Sequence, residues 1–429
     1  MKVAPAAALV GDVAVPGTKS IAHRALLLGA IADGESAIRN FSRSGDTEST
    51  IAAVRSLGVD VLDDGPEDVR VHGLGLRGLR APTEPIDCGN AGTLMRLIAG
   101  ILAGQNGTFV LTGDASLASR PMERIAEPLR QMGARVETTE GHAPITVHGG
   151  ARLRPISYEL PVASAQVKSC ILLAGLYAGE GPTVVVERGA QTRDHTERLL
   201  RMMGARVQSS PRQASVWPAE RLAATTVELP GDFSSAAPLI VAATLLAGSE
   251  LRIHGVNLNP TRTGFLDVLE RMGARIGVFN RRTLAGEPAG DLDVRSAQLV
   301  ATSIEPDEVP SLVDELPLFA LAAGMARGQS SVRGAQELRA KESDRIESVT
   351  IAMKALGIRI SASDDGFGVR GVATRPKGGG MDSAGDHRLA MLGAIAGLVS
   401  REGVDVRDAE AVAISFPGFF DLLESVTRR

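Results

Sequence analysis

Two alternating helix patterns recur along the 429 residues, and this sixfold repeat limits the fold more than any other feature. The first pattern is a helix rich in Ala, Leu and Gly, then a glycine turn, then a strand rich in β-branched residues. The turn glycines are spaced 70, 75, 69, 80 and 75 residues apart, at Gly34, Gly104, Gly179, Gly248, Gly328 and Gly403. Because solenoid repeats span only about 20–50 residues, each repeat is predicted to be a small α/β module.

The second pattern is an amphipathic helix that ends at a glycine and leads into a strand. Five copies read SLGVDV, QMGARVE, MMGARVQ, RMGARIG and ALGIRIS, and the tail FPGFFDLLESVTRR supplies a sixth helix that stops before its strand. A glycine just past a helix end favours the left-handed conformation. These glycines are Gly58, Gly133, Gly204, Gly273 and Gly357. The first helix of each module is apolar on all sides and is predicted to be buried, whereas the second has a polar face and is predicted to lie outside.

The six modules divide naturally into two groups of three. The predicted fold class is α/β, with two lobes that each contain three βαβαββ modules around buried parallel helices. Modules one to three form a lobe over 16–229, and residues 1–15 plus 230–429 form the second, with the N-terminal strand completing the last module. Two chain crossings, near Pro16 and Pro230, predict a double hinge that lets the lobes close over a ligand.

Composition excludes several classes of function. The net charge of −4 argues against general binding to nucleic acid. Two cysteines, Cys88 and Cys170, are too few for a disulfide framework or a cysteine-rich metal site, and the seven histidines show no metal-ligand spacing. The opening MKVAPAAALVGD is typical of a strand and not of a signal peptide. No apolar stretch reaches the roughly 18 residues of a membrane span, so we expect a cytoplasmic protein with no metal and no membrane partner.

Positively charged side chains gather at the starts of the predicted helices. A helix start carries a partial positive charge and exposes N–H donors, so cations there are mildly repelled unless an anion binds. Any single one of these cations can also be explained as a solvated surface residue. Arg24 and Arg96 can also be explained as structural partners of a carboxylate. Their recurrence at equivalent positions, with polar neighbours, favours a site for two anionic groups. The residues are Lys19, Ser20 (the expected helix cap), Arg24, Asn90, Gly92, Thr93, Arg96, Arg120, Ser164, Gln166, Lys168, Ser169, Arg193, Lys341, Arg345 and Arg388.

Four carboxylates belong to the same layer of helix starts. Asp314 and Glu315 lie in LVDELP, and Glu342 and Asp344 lie in AKESDR. A carboxylate among cations stays ionised, which suits a general base. For Asp314 and Glu342 the catalytic and structural interpretations remain equally open, whereas helix capping and dipole pairing are favoured for Glu315 and Asp344.

Several motifs, in order along the whole chain, resemble those of the 5-enolpyruvylshikimate-3-phosphate synthase family, in the form of its second bacterial class. They read PGTKSIAHR, GNAGTLMR, SRPM, SAQVKS, RDHTER, GDFSSA, AKESDR, GDHRLAM and SFPGFF. The resemblance implies a two-lobed, inside-out α/β barrel. It also implies a cofactor-free transfer of the enolpyruvyl group from phosphoenolpyruvate to the 5-hydroxyl of shikimate 3-phosphate. Phosphate is released through a tetrahedral intermediate, in the pathway to aromatic amino acids.

The resemblance also implies roles for individual residues. Shikimate 3-phosphate is expected to contact Lys19, Ser20, Arg24, Ser164, Gln166, Asp314 and Lys341. Phosphoenolpyruvate is expected to contact Lys19, Gly92, Arg120, Gln166, Arg345 and Arg388. Asp314 takes the 5-hydroxyl proton, and Glu342 handles the methylene proton with assistance from Lys19. Inhibition by the phosphoenolpyruvate analogue glyphosate is expected as well.

Some positions depart from the family pattern. Ile414 stands where some members carry a lysine that binds phosphoenolpyruvate, so that contact is absent. Thr192 replaces a common serine and keeps its hydroxyl. Ala118 and Ser119 stand where basic residues are frequent, which predicts a weaker local field.

Two other functions remain open from the sequence. The sister enolpyruvyltransferase that acts on UDP-N-acetylglucosamine shares the fold and the chemistry. It usually carries Lys-Asn at the first helix and a reactive loop cysteine, whereas here Ser20 follows Lys19 and no cysteine lies near Ser116. A non-catalytic repeat scaffold would not need the charged residues at the module starts. A monomer is expected, because a double-hinged chain closes without a partner.

Overall fold

The structure is a computed structural model that describes residues 1–429. The chain forms two compact units, each described by itself below. The inserted unit comprises residues 17–230 and 283–287, and the terminal unit comprises residues 1–16, 231–282 and 288–429. The chain therefore passes between the units at Pro16 and at Pro230, and again on either side of the short segment 283–287. No sequence pattern indicated this last excursion.

Thirteen α-helices occur along the chain. They are α1 Lys19–Ala30, α2 Gly45–Ser56, α3 Gly92–Leu102, α4 Ala115–Ala118, α5 Glu123–Gln131, α6 Ala165–Gly175, α7 His195–Met202, α8 Phe233–Leu245, α9 Gly264–Arg271, α10 Leu316–Met325, α11 Arg345–Ala355, α12 His387–Val399 and α13 Phe419–Val426. Short 3-10 helices span Val309–Ser311, Val313–Glu315, Gln336–Ala340 and Ala409–Ile414.

The inserted unit contains three four-stranded sheets with one shared topology. In each sheet, a short strand at one edge pairs in parallel with its neighbour. The third strand is antiparallel to this neighbour, and the fourth strand, at the other edge, is antiparallel to the third. The sheet orders are Thr226–Glu228, Asp33–Arg39, Val69–Leu74, Asp60–Asp63; Ile86–Asp87, Thr108–Thr112, His142–His148, Arg135–Thr139; and Ser157–Glu159, Thr183–Val186, Gln213–Val216, Val207–Ser210.

The terminal unit contains variants of the same sheet. The orders are Arg275–Leu284, Glu287–Arg295, Glu250–Asn257, Ala8–Ala14, Thr427–Arg428; Ser303–Ile304, Arg327–Val332, Gly366–Val372, Arg359–Ser363; and Lys2–Val3, Val404–Arg407, Gly379–Asp382. Lys2 pairs with Asp405 and Val3 with Val404, so the N-terminal strand lies in the sheet of the last module. The tail differs from expectation, because Thr427–Arg428 forms a short strand against Ala8–Leu9.

The first helix of each module is buried, which confirms the prediction from its apolar composition. All six, α1, α3, α6, α8, α10 and α12, are buried at nearly every position. Small residues allow this close packing. A Cβ atom on Gly100 of α3 would lie 2.2 Å from the carbonyl oxygen of Cys170 in α6, so only glycine fits there.

The outer helices end as the repeat predicts. Gly58, Gly133, Gly204, Gly273 and Gly357 have φ values of +89°, +97°, +86°, +93° and +85°. In the inserted unit, an arginine three residues before each glycine donates to the carbonyl oxygen six residues after itself. The pairs are Arg55 to Val61 at 2.7 Å, Arg130 to Val136 at 2.7 Å and Arg201 to Val207 at 3.4 Å. The bond joins each helix to the strand that follows it.

None of the helices combines the length and the apolar character needed to cross a membrane.

Candidate active site

The first turns of α1, α3 and α6 meet at one end of the inserted unit. Arg24 of α1 donates to the Ser169 hydroxyl of α6 at 3.0 Å. Arg96 of α3 donates to the Gln166 amide oxygen at 2.5 Å, and the Gln166 amide nitrogen donates to the Thr93 hydroxyl at 2.9 Å. Because these bonds join residues in the first two turns of each helix, the positive ends of three helix dipoles are collected in one place.

The start of α1 differs from the sequence prediction in its cap. Thr18, and not Ser20, occupies the N-cap position, since the helix begins at Lys19. The Thr18 backbone N–H and hydroxyl both donate to the Pro230 carbonyl oxygen at 2.8 Å, which fixes the direction in which the chain enters the helix. Ser20 therefore keeps its hydroxyl for other partners. The Lys19 ammonium lies 2.7 Å from the Asp46 carboxylate.

Arg24 is buried at 3% exposure, and all of its hydrogen-bond partners are neutral. Its guanidinium donates to the Thr196 hydroxyl at 2.7 Å, the Ser20 carbonyl oxygen at 2.7 Å and the Ser169 hydroxyl at 3.0 Å. The structural pairing with a carboxylate that the sequence left open is thus not made. Burial lowers the pKa of Arg24 to about 10, so it remains a cation at neutral pH.

Two further guanidiniums flank the start of α3. Arg120 donates to the Asn90 amide oxygen at 2.6 Å and to the Ser116 hydroxyl at 3.1 Å. A Cβ atom on Gly92 would lie 3.2 Å from Nη1 of Arg96 and 3.3 Å from Nη1 of Arg120. Gly92 therefore allows both cations to approach the helix start closely. Arg96 also pairs with the Gln166 amide oxygen here.

The terminal unit repeats the arrangement with α8, α10 and α12. The Ser234 hydroxyl at the start of α8 donates to Glu315, the residue before α10, at 2.7 Å. Arg388 of α12 lies 3.5 Å from both Asp314 and Glu315. The opening turns of the three buried helices therefore also meet in this unit.

Glu315 does not cap its helix, contrary to the favoured interpretation of the sequence. Its side chain makes no cap bond and is fully buried. It accepts instead from both terminal nitrogens of Arg262, at 2.6 and 3.0 Å. Arg262 was absent from the sequence-based candidates. A signal existed, because Arg262 precedes the outer helix α9 by two residues, as Arg193 precedes α7. Asp344 does cap α11, since it accepts from Ile346 and Glu347 at 3.1 Å.

Arg345 is the centre of the carboxylate cluster in this unit. Its guanidinium, 1% exposed, lies 2.7 Å from Asp386, 2.5 Å from Glu342 and 3.5 Å from Asp314. Burial opposes its charge, but attraction to these carboxylates outweighs that effect and raises the pKa of Arg345 above its ordinary value. The same attraction lowers the pKa of Asp386 although that carboxylate is buried. Asp386 also caps α12 through a 2.9 Å bond from the Arg388 N–H.

Asp314 lies beside cations and keeps part of its surface exposed. Its carboxylate oxygens lie 3.5 Å from Arg345 and 3.5 Å from Arg388, and 11% of the side chain is exposed. The pKa of Lys341 is lowered because its ammonium is desolvated, an effect that the attraction of Asp314 partly offsets. Asp314 is therefore a partly exposed carboxylate with two guanidiniums close by.

The two units differ in the charges at their helix starts. Within the inserted unit, three guanidiniums, Arg24, Arg96 and Arg120, donate to neutral oxygens. The two ammoniums there are paired, Lys19 with Asp46 and Lys168 with Glu187 and Glu197. Within the terminal unit, four carboxylates lie among four cations. The carboxylates are Asp314, Glu315, Glu342 and Asp386, and the cations are Arg262, Lys341, Arg345 and Arg388. The first set suits anion binding, and the second set combines anion binding with acid–base chemistry.

Other candidate groups fit poorly with catalysis. Cys88 and Cys170 are buried, and burial raises the pKa of both thiols, which keeps them protonated. Asp194, His195 and Glu287 are close enough together to hold a metal ion. However, the guanidinium of Arg198 already lies 2.9 Å from Asp194 and 3.8 Å from Glu287, where it balances the two carboxylates.

The comparison with known proteins identifies the family. The family model described as EPSP synthase (3-phosphoshikimate 1-carboxyvinyltransferase) matches residues 3–423. The chain belongs to the EPSP synthase family. A relative from Citrifermentans bemidjiense, named 3-phosphoshikimate 1-carboxyvinyltransferase, is 47% identical over 429 residues, which cover 100% of this chain and 99% of the relative. A relative of the same name from Salinibacter ruber is 47% identical over 426 residues, 98% of each chain.

Solved structures agree with this assignment. EPSP synthase from Acinetobacter baumannii matches with a TM-score of 0.88 and 41% identity, over 99% of this chain and 97% of that one. The enolpyruvyl transferase NikO from Streptomyces tendae matches with a TM-score of 0.78 over 99% of this chain and 96% of that one. At 19% identity the second likeness is one of fold alone. Both neighbours confirm the predicted enolpyruvyltransferase-like α/β fold.

The structure locates the residues at which this chain departs from the family pattern. Ile414 ends the short helix Ala409–Ile414 and packs, half-buried, against the core of the terminal unit. Its side chain has neither a charge nor a hydrogen-bond donor with which to bind an anion. The Thr192 hydroxyl is buried and has no hydrogen-bond partner. Ala118 and Ser119 lie at the end of α4.

Proposed function

We propose that the family reaction uses the side chains gathered at the helix starts of both units. Family membership makes the chain an enzyme of the shikimate pathway, which transfers the enolpyruvyl group of phosphoenolpyruvate to the 5-hydroxyl of shikimate 3-phosphate. The observation that carries the residue assignment is the charge difference between the units. A cation-rich set in the inserted unit suits polyanionic substrates, and accessible carboxylates in the terminal unit suit proton transfer.

Shikimate 3-phosphate is assigned to residues that combine charge with hydrogen-bond capacity. Arg24 supports the assignment most strongly, because a buried guanidinium with neutral partners gains from an anion more than a paired one does. The proposed contacts are Lys19, Ser20, Arg24, Ser164, Gln166, Asp314 and Lys341. Asp314 differs from the other residues because it is a carboxylate. It is proposed to accept a hydrogen bond from a substrate hydroxyl and not to contact the phosphate.

Phosphoenolpyruvate, with its phosphate and carboxylate, is assigned to a second group of cations. Gly92 supports this assignment because its missing side chain lets Arg96 and Arg120 approach the start of α3. The proposed contacts are Lys19, Gly92, Arg120, Gln166, Arg345 and Arg388. The planar guanidinium of Arg388 suits the carboxylate, to which it can donate two hydrogen bonds. Arg345 has one N–H left for the same group after its bonds to Asp386, Glu342 and Asp314.

The proposed chemistry needs two proton transfers. In the first step the 5-hydroxyl oxygen bonds to C2 of phosphoenolpyruvate, its proton passes to Asp314, and the methylene carbon gains a proton. In the second step phosphate leaves C2 with the bonding electrons, and the methyl carbon returns a proton to restore the double bond. Glu342 handles the proton on carbon, with assistance from Lys19. Asp314 holds the proton from oxygen until the released phosphate takes up a proton, which restores the carboxylate.

The test is an assay of phosphate release from phosphoenolpyruvate with shikimate 3-phosphate, run beside the same assay with UDP-N-acetylglucosamine. Release with shikimate 3-phosphate alone is expected. Asp314→Asn is expected to lower kcat by roughly 10²–10⁴, the usual contribution of a general base. Release with the nucleotide sugar would overturn the acceptor, and an unchanged kcat in Asp314→Asn would overturn the role of that carboxylate. No release with either would favour the scaffold.

The proposal also covers inhibition by glyphosate, the oligomeric state and the location in the cell. Glyphosate is expected to inhibit by competing with phosphoenolpyruvate, and unchanged activity at glyphosate concentrations well above the phosphoenolpyruvate KM would contradict this. The enzyme is proposed to act as a monomer in the cytoplasm, which sedimentation velocity and cell fractionation test.

A further inference from the structure

Helices α6 and α7 of the inserted unit are joined by two adjacent side-chain links. Lys168 of α6 pairs with Glu197 of α7 at 2.9 Å. The next residue along α6, Ser169, hydrogen bonds through its hydroxyl to the hydroxyl of Thr196, the residue before Glu197, at 2.7 Å. All four side chains are fully buried. The first link is an ion pair, and the second is a pair of hydroxyls with acceptor capacity left over.

The hydroxyl pair holds one edge of the Arg24 guanidinium. Nε of Arg24 donates to Thr196 at 2.7 Å, and Nη2 donates to Ser169 at 3.0 Å. These two nitrogens form the side edge of the guanidinium plane, so the two hydroxyls set both its position and its rotation. Nη1 donates to the Ser20 carbonyl oxygen at 2.7 Å.

Two hydrogens of the Arg24 guanidinium remain after its three hydrogen bonds. A guanidinium has five N–H donors, and the three bonds above leave one hydrogen on Nη1 and one on Nη2. Two parallel hydrogens of this kind match two oxygens of one carboxylate or phosphate group. The orientation of that pair depends on what holds the opposite edge.

We propose that Thr196, together with Ser169, is a positioning residue that turns the end edge of Arg24 toward an anionic group, carboxylate or phosphate, of shikimate 3-phosphate. This inference rests on the proposed role of Arg24. Neither hydroxyl contacts the substrate in this arrangement. They act by holding the guanidinium in one orientation, so that binding does not have to order a long flexible side chain.

The ion pair behind the hydroxyls explains why they stay in place. The Lys168 ammonium contacts Glu197 at 2.9 Å, Glu187 at 2.8 Å and the Thr192 carbonyl oxygen at 3.1 Å. It therefore fixes α7 and the segment 187–192 against α6, one residue away from the hydroxyl pair. The positions of Thr196 and Ser169 follow from this network and not from the substrate.

The experiment compares Thr196→Val with a matched control, Thr183→Val. Valine keeps the shape of threonine and removes the hydroxyl. Thr183 lies in the same unit, is fully buried, and its hydroxyl has no hydrogen-bond partner. Thr196→Val is expected to raise the KM for shikimate 3-phosphate roughly tenfold or more, the effect of losing a hydrogen bond to a charged group. The KM for phosphoenolpyruvate is expected to stay within about twofold, and Thr183→Val is expected to leave both values within the same limit.

Three further measurements separate positioning from mere stability and from failure of the proposed function. Thr196→Ser should restore most of the affinity, and the Tm of each variant should be recorded. In an Arg24→Gln background, Thr196→Val should add less than about twofold, because the two residues act as one unit. An unchanged KM for shikimate 3-phosphate in Thr196→Val, or equal losses for both substrates that follow the Tm, would overturn the inference alone. An unchanged KM in Arg24→Gln would overturn the substrate role of Arg24 and the inference with it.

Discussion

At the scale of single residues, two arginines show how surroundings decide what a cation can do. Arg24 is buried among neutral oxygens, and Arg345 is buried among three carboxylates. No carboxylate pairs with the charge of Arg24, so it can attract an anionic ligand. Much of the charge of Arg345 is already balanced by carboxylates of the protein. Arg345 can therefore orient Glu342 and Asp314 as well as bind substrate, and Arg24 is suited to binding alone.

Gly92→Ala tests the close approach of the guanidiniums to α3. The new Cβ would lie 3.2 Å from Arg96 and 3.3 Å from Arg120, so both side chains must shift by a few tenths of an ångström. We expect a severalfold rise in the KM for phosphoenolpyruvate and little change in Tm, measured by initial rates and thermal unfolding. Gly380→Ala is the control, since nothing lies within 4 Å of its Cβ. Equal KM values in the two variants would show that the space at Gly92 is not needed.

His23 is expected to make the stability depend on pH. Its ring is fully buried and bonds to Thr50 at 2.7 Å. Burial lowers its pKa to about 3, from about 6.5 in the unfolded chain. The unfolded chain therefore binds one more proton than the folded one between these values. His23 thus destabilises the fold progressively as the pH falls below about 6.5, by up to about 1.4 kcal/mol per pH unit.

The measurement is the free energy of unfolding in urea between pH 8 and pH 5, for the wild type and for His23→Gln. The variant should lose part of the slope below pH 6.5, whatever its stability at pH 8. His72→Gln, at a side chain that is 44% exposed, serves as the control. Identical slopes for His23→Gln and the wild type would mean that the ring is hydrated in solution.

At the scale of elements, Lys168 joins α6, α7 and the segment that ends in Thr192. Lys168→Met keeps a long apolar chain but leaves Glu187 and Glu197 buried without their cation. The free energy of unfolding is expected to fall by roughly 3–5 kcal/mol, as when one partner of a buried pair is removed. Arg271→Met breaks an exposed pair with Glu308 and should cost at most about 1 kcal/mol. Similar losses in the two variants, measured by urea unfolding, would argue against the buried network.

At the scale of the whole molecule, the terminal unit is built from both ends of the chain. Lys2–Val3 pairs with Val404–Arg407, and Ala8–Ala14 pairs with Glu250–Asn257 and Thr427–Arg428. Deleting residues 1–6 removes the first strand together with the buried side chains of Val3 and Ala6. A loss of about 2 kcal/mol or more is expected from the lost burial of Val3 alone. Deleting Arg429, which is exposed, is the control, and an unchanged unfolding midpoint after the longer deletion would contradict the role of this strand.

The sequence determined the features that depend on local periodicity. Apolar helices, helix-ending glycines and their regular spacing predict the modules, because each depends on neighbours within a few residues. Cations and carboxylates at helix starts could be located for the same reason, once the six repeats were aligned with one another. The capping role of Asp344 is local as well, and it was predicted.

Only the tertiary structure decided which partner each of those groups has. Arg24 meets Thr196 across 172 residues, and Arg262 meets Glu315 across 53 residues. The Pro230 carbonyl oxygen, 212 residues away, fixes Thr18 rather than Ser20 as the N-cap of α1, and the segment 283–287 belongs to a unit that no local pattern indicates. These outcomes depend on contacts between modules, and the free energy of a contact between distant residues leaves no periodic trace in the sequence.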